Sequence, residues 1–126
     1  SARSARSCRG QWYNSRMSTD SLHYLQEQII AYRDERDWKQ FHTPKNCAAN
    51  IAVEAGELLD HYRWQEKADD RQAVVDEAAD VLYSLLMFCE AEDIDLGEAV
   101  MAKLAKNAAK YPPEKAKGKP HKYDQL

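Results

Sequence analysis

The sequence predicts an all-α protein, a bundle of four helices. Glycine and proline are scarce, at four each in 126 residues. Clusters of β-branched residues are absent, and apolar residues recur at helical spacing in four successive stretches. Few breakers and a period near 3.6 argue for helices, whereas strands need β-branched and alternating segments.

The first sixteen residues, SARSARSCRGQWYNSR, hold four arginines, no acid and no apolar period, and Met17 follows. They read as a remnant of recombinant expression or an unstructured extension. Residues 17–126 read as one domain. Its first helix lies in STDSLHYLQEQIIAYRDER, where capping residues precede Leu22, Leu25, Ile29 and Tyr32 at helical spacing. DWKQFH breaks the pattern. Thr43 then offers an N-cap and Pro44 a first helical residue whose missing N–H costs nothing, so the second helix is expected from Pro44 to Trp64. QEKADD is a polar turn, with Asp69 or Asp70 capping a third helix that runs to about Glu92. Asp95 and Glu98 have capping-box spacing and open a fourth, which YPP ends near Tyr111. From about residue 112 a lysine-rich tail without an apolar face reads as flexible or surface-bound.

Without the leader, 14 basic residues face 21 acidic ones, so the net charge falls from −3 to −7. An acidic domain argues against nucleic acid as a partner. Cys8, Cys47 and Cys89 are odd in number and far apart, as free thiols in a reducing compartment are. No apolar run approaches the roughly 20 residues of a membrane span, and no segment resembles a signal peptide. These features predict a cytoplasmic protein with no membrane partner.

Four acids stand out. VEAGELLDHYRW carries Glu54 and Glu57, and DEAADVLYSLL carries Glu77 and Asp80, each pair three residues apart in an apolar helical pattern. At about 100° per residue, Ile51, Ala52, Ala55, Leu58, Leu59 and Tyr62 form one apolar arc of the second helix. Glu54 and Glu57 lie past one edge of it, with His61 between them a turn on. On the third helix, Val74, Val75, Ala78, Val81, Leu82, Leu85, Phe88 and Cys89 form the arc, and Glu77 and Asp80 flank it. Taken singly, each acid is an ordinary solvated helix charge. If the helices pack antiparallel through their arcs, both pairs border one groove and cannot all stay ionised unaided. A hard divalent cation resolves the conflict, and all-oxygen ligation selects Mg²⁺ or Mn²⁺. A di-iron carboxylate bundle would need Glu-x-x-His on two helices. Neither pair has it.

Glu-x-x-Glu followed about twenty residues later by Glu-x-x-Asp resembles the signature of the MazG-like all-α nucleoside triphosphate pyrophosphohydrolases. ERDWKQFHTPKN, YRW and KLAKNAAKYP resemble flanking segments of the dCTP pyrophosphatase branch, so the resemblance spans about residues 20 to 123. It implies Mg²⁺-dependent hydrolysis between the α and β phosphates, giving a nucleoside monophosphate and pyrophosphate. Glu54, Glu57, Glu77 and Asp80 would hold the metal ions, which neutralise phosphate charge and activate water. Trp38 and Trp64, with His42, would enclose the base, and Asn46 would offer its amide to base or phosphate or bond the turn. Lys103, Asn107 and Tyr111, at one-turn spacing, would serve phosphates and sugar. The family assembles as dimers, often paired into tetramers, so a homodimer or homotetramer is expected.

Two positions depart from the family. Ser84 stands where an aromatic residue is usual, with Tyr83 about 100° away. Ile29 stands where some dCTP-preferring relatives carry a histidine. Both changes leave the reaction intact and point to a relaxed base preference, dCTP or a modified pyrimidine first among several deoxynucleotides. Two other readings compete. One is a non-catalytic helical module for oligomerisation. The other is an enzyme like phosphoribosyl-ATP pyrophosphohydrolase, which the RDW…FH segment disfavours.

Overall fold

Each long helix begins on a side chain that accepts a hydrogen bond from the first turn, so capping residues fix where helices start. The computed structural model describes residues 21–126, and the N-terminal leader read from the sequence lies outside the described residues. Helix α1 spans Leu22–Glu35 behind Ser21, whose hydroxyl accepts from the Tyr24 N–H at 3.4 Å. Helix α2 spans Pro44–Asp60 behind Thr43, and α3 spans Arg71–Ala91 behind Asp70. Helix α4, Leu96–Lys110, starts at Asp95, whose carboxylate accepts from the Glu98 N–H at 3.0 Å. The fold class is all-α: no strand occurs among the described residues.

The chain divides into two compact units after Ile94. In the first, α2 packs on α3 and α1 lies against α3. The α2–α3 pair is antiparallel: Asn50 donates to Ser84 at 2.8 Å, whereas His61, farther along α2, stands 3.7 Å from Glu77, farther back on α3. Cys47, Leu86, Met87 and Cys89 are buried between these helices. Gln26 and Arg33 fasten α1 to α3. The Gln26 amide donates to the Leu86 carbonyl, and the buried Arg33 guanidinium reaches Glu90, each at 3.0 Å. Burial works against the arginine's charge, but hydrogen bonds to Glu90 and Asp34 outweigh it and hold its pKa above the ordinary value. Both α1 and α3 end on a left-handed aspartate, Asp37 at φ 54° and Asp93 at φ 56°. The Trp38 and Ile94 N–H groups then bond back to the Arg33 and Cys89 carbonyls. This is a Schellman closure with aspartate where glycine is usual.

In the second unit α4 is followed by a short helix α5, Pro113–Ala116, and a 3₁₀ turn at Tyr123–Gln125. The Tyr123 ring meets Tyr111 edge-on at 6.2 Å, and the Lys110 ammonium lies 5.0 Å from its centroid. The basic tail expected to be flexible or surface-bound carries a short helix and a 3₁₀ turn, and Tyr123 meets the end of α4.

Helix α2 differs from expectation in length and in rotation. It stops at Asp60, not Trp64. The His61 and Tyr62 N–H groups bond three residues back, to the Leu58 and Leu59 carbonyls. Such tightening closes a helix end whose carbonyls lack partners, and an Arg63–Asp60 ion pair lies over the turn. Of the expected apolar arc, Ile51 and Leu58 are half-buried but Ala52, Ala55, Leu59 and Tyr62 are exposed. The covered stripe is instead Cys47, Ile51, Glu54, Leu58 and His61, which alternates steps of four and three. On α3, Val75 and Ala78 of the expected arc are likewise exposed. Each helix has turned so that one of its acids, Glu54 or Glu77, enters the seam and part of its apolar face is left uncovered.

Glu90→Ala is expected to cost about 1.5–3 kcal/mol, the range for hydrogen bonds to charged groups, because buried Arg33 would keep only Asp34. Urea unfolding followed by circular dichroism measures this. A loss below about 0.5 kcal/mol would show that Asp34 alone satisfies the guanidinium.

Candidate functional site

Glu54 and Glu57 share one face of α2, and Glu77 reaches the same point from α3, so one carboxylate oxygen from each lies within 4.8 Å of the others. Glu54 and Glu77 are half-buried and Glu57 is exposed. The Glu54 pKa is raised, first by burial, then by the Glu57 charge and a hydrogen bond shared with it, then by Asp80 and Glu77. The cluster thus favours a proton, and by the same electrostatics a cation, at its centre. An all-oxygen donor set at this spacing fits a hard divalent ion. His61 Nε2, 3.7 Å from Glu77, adds a titratable edge to the cluster.

Asp80 lies outside that 4.8 Å group although its charge still reaches Glu54. It lines a cavity of about 510 Å³ together with Gln28, Ile29, Tyr32, Trp38 and Tyr83. Trp38 and Tyr32 meet edge-on at 5.9 Å, and the Arg36 guanidinium covers the Tyr32 ring at 3.8 Å. Tyr83 meets Tyr32 edge-on at 6.4 Å. The sequence reading turned Tyr83 away from the groove, yet Tyr83 lines both this cavity and a smaller one between α2 and α3. Helix α1 stands beside it, so Tyr83, Tyr32 and Trp38 make an aromatic pocket beside Asp80. Tyr32 and Tyr83 were missed because the groove was drawn between two helices, and helical spacing within α1 says nothing of which side of α3 it occupies.

His42 and Asn46 line a second cavity of about 260 Å³ with Cys47, Asn50, Tyr83, Ser84 and Met87. Asn46 closes the preceding loop, its amide donating to the Phe41 carbonyl at 3.0 Å. Nδ1 of His42 is buried and lacks a hydrogen-bond partner among the described residues, a condition that costs about 1–3 kcal/mol when nothing fills it. Burial, then the Arg33 charge, lowers the His42 pKa and favours the neutral ring. Ser84 is buried and accepts from the Asn50 amide. Trp64, in the turn after α2, is 88% exposed and is not brought to either cavity. Lys103, Asn107 and Tyr111 lie in the second unit, Lys103 exposed and the others half-buried, with the Tyr111 N–H donating to the Asn107 carbonyl at 2.8 Å. No described helix is long and apolar enough to cross a membrane.

Paired acids on adjacent antiparallel helices, beside an aromatic pocket, define a class of helical protein that comparison with known families identifies. The chain belongs to the MazG-like family, whose model matches residues 49–126. It is similar to dCTP pyrophosphatase 1 of Rattus norvegicus, 34% identical over 101 residues covering 73% of this chain and 59% of the relative. The Homo sapiens protein of that name is 33% identical over the same shares. The chain thus spans 59% of the length of these curated relatives. The crystal structure of a pyrophosphatase from Archaeoglobus fulgidus superposes with a TM-score of 0.67 at 37% identity, covering 72% of this chain and 92% of that one.

A group whose pKa is raised on folding contributes stability that is present below its unfolded pKa and lost as pH rises through the folded one. For Glu54 the loss begins above the ordinary value of 4.5. Metal-free Glu54→Gln is therefore expected to melt higher than the parent at neutral pH and to flatten the decline above pH 4.5. Thermal melts in chelator across that range check it. A variant that melts lower with an unchanged pH slope would contradict the electrostatic reading of the cluster.

Proposed function

We propose that the chain is a divalent-cation-dependent nucleoside triphosphate pyrophosphohydrolase that cleaves between the α and β phosphates of a deoxynucleoside triphosphate. The products would be the monophosphate and pyrophosphate. The observation that carries this reading is the convergence of Glu54, Glu57 and Glu77 from two helices, with Glu54 disposed to hold positive charge. Membership of the MazG-like family and similarity to proteins named dCTP pyrophosphatase support the reaction class. In this reading Glu54, Glu57, Glu77 and Asp80 hold Mg²⁺, or Mn²⁺ in its place. Bound there, the cation would supply neutralisation of phosphate charge and an acidified water for attack at phosphorus.

The chain's own residues do the rest. Tyr32, Trp38 and Tyr83 offer ring faces and edges to the base, which suits any base because each has a π-face. Asp80 borders both the acid cluster's field and that aromatic cavity, so it marks the place where the phosphate end and the base end of a nucleotide would meet. Lys103, Asn107 and Tyr111 are assigned to phosphates and sugar from the family resemblance alone. The preferred substrate in this reading is dCTP or a modified pyrimidine deoxynucleotide, with at least one other dNTP also cleaved, and the protein works in the cytoplasm on the nucleotide pool.

Asp80→Asn is expected to abolish turnover with the fold intact, since it removes a ligand charge and barely alters volume. Pyrophosphate release from a panel of canonical and modified triphosphates with Mg²⁺ gives the measurement for parent and variant. Unchanged turnover at saturating Mg²⁺ would remove the metal assignment, and an inert parent would favour the non-catalytic helical module.

The exposed faces of α2 and α3, with Leu59 at 66% and Val53 at 55% exposure, support assembly as a homodimer or homotetramer. Light scattering at micromolar concentration should give at least a dimer mass. A monomer with full activity would overturn that part of the proposal.

A further inference from the structure

The larger cavity has aromatic walls, whereas the smaller one beside it is the more polar, and Tyr83 lines both. Around the smaller cavity His42, Asn46, Asn50 and Ser84 supply amide, imidazole and hydroxyl groups, while Cys47 and Met87 supply apolar ones. No lysine, arginine or carboxylate lines it, so its chemistry suits a neutral heterocycle rather than a phosphate. Its volume of about 260 Å³ far exceeds the roughly 30 Å³ of one water. Its register is also informative. Asn50 precedes Glu54 by one turn on α2 and Ser84 follows Asp80 by one turn on α3, so their hydrogen bond joins the helices about 6 Å along the axis from the acids.

That hydrogen bond has a consequence for the amide. Asn50 gives one N–H to Ser84 Oγ at 2.8 Å, which holds its side chain at the cavity. Its carbonyl oxygen and its second N–H then form an adjacent acceptor and donor, the pattern that reads a base edge. Nδ1 of His42, buried and without a partner among the described residues, is a further polar atom at the same cavity.

We infer that Asn50 is a specificity-determining residue that reads the hydrogen-bonding edge of the substrate's nucleobase, and that Ser84 is its positioning residue. The inference rests on the nucleotide reading above and adds to it the group that tells one base from another. The edge that fits best carries an exocyclic amine beside a ring nitrogen, as cytosine does, with the amine on the Asn50 carbonyl and the ring nitrogen on its N–H. Uracil presents the reverse order, which the amide in the orientation bonded to Ser84 does not match. A stacking pocket alone tolerates every base, whereas a hydrogen-bonded edge discriminates between them.

The test compares dCTP with dUTP, which differ at that edge alone. In the parent, kcat/KM should favour dCTP by about tenfold or more. Asn50→Ala and Ser84→Ala should each raise KM for dCTP by about tenfold, leave kcat within about twofold, and bring the dCTP to dUTP ratio close to one. Calorimetric binding of the α,β-imido analogues of dCTP and dUTP reads the same preference without turnover, and melting curves confirm folded variants. A parent that does not discriminate, or variants that keep the parent's ratio within about twofold, would overturn the inference while triphosphate cleavage still stood. Edge-dependent binding of the analogues without cleavage of any triphosphate would uphold it and remove the hydrolase reading. Binding of neither analogue would overturn both.

Discussion

Like charges brought between two helices govern this molecule. The covered stripe of α2 is not its most apolar one: Glu54 and His61 lie in it, while Leu59 and Tyr62 face out. A helix seeking only to bury hydrocarbon would turn the other way, since each large aliphatic side chain gains about 1.5–3 kcal/mol on burial. The observed rotation makes sense where the outward face has a further partner and the acids have a counter-charge. Burial and the neighbouring Glu57, Asp80 and Glu77 charges raise the Glu54 pKa, and the His61 imidazole stands 3.7 Å from Glu77.

Around that cluster the fold supplies rigid walls. Buried Arg33 ties α1 to α3 through Glu90, and its own carbonyl receives the Trp38 N–H. One residue thus fixes the angle of α1 and the start of the loop that bears Trp38 and His42. The Schellman turn at Asp37 sends the chain back at that point, and Asn46 closes the loop onto the Phe41 carbonyl. The loop that carries Trp38 and His42 is therefore held at both ends by contacts to the main chain.

The helix starts were legible because caps act locally: Thr43 with Pro44, Asp70 and Asp95 each work within four residues of sequence. The ends of α1, α3 and α4 also fall within about a residue of expectation. Only α2 stops early, through backbone bonds that no side chain announces. The acid pairs were legible from spacing, and three of the four carboxylates do converge. What spacing could not give is the third direction. Tyr83 joins the aromatic pocket because α1 stands beside it, and Trp64 stays in solvent because the turn carries it out of the helix. The Asn50–Ser84 bond likewise depends on the register of two helices, which neither sequence stretch contains alone.

The central claim is that the cluster raises the Glu54 pKa and that a divalent cation bound there would displace the proton it favours. The direct measurement is a calorimetric titration of the metal-free chain with Mn²⁺, in two buffers of different ionisation enthalpy, about one pH unit above the ordinary glutamate value of 4.5. The account predicts saturable binding whose heat differs between buffers by a proton release of up to about one per site, abolished in Glu54→Gln. Binding with equal heats in both buffers, or no saturable binding at all, would contradict it.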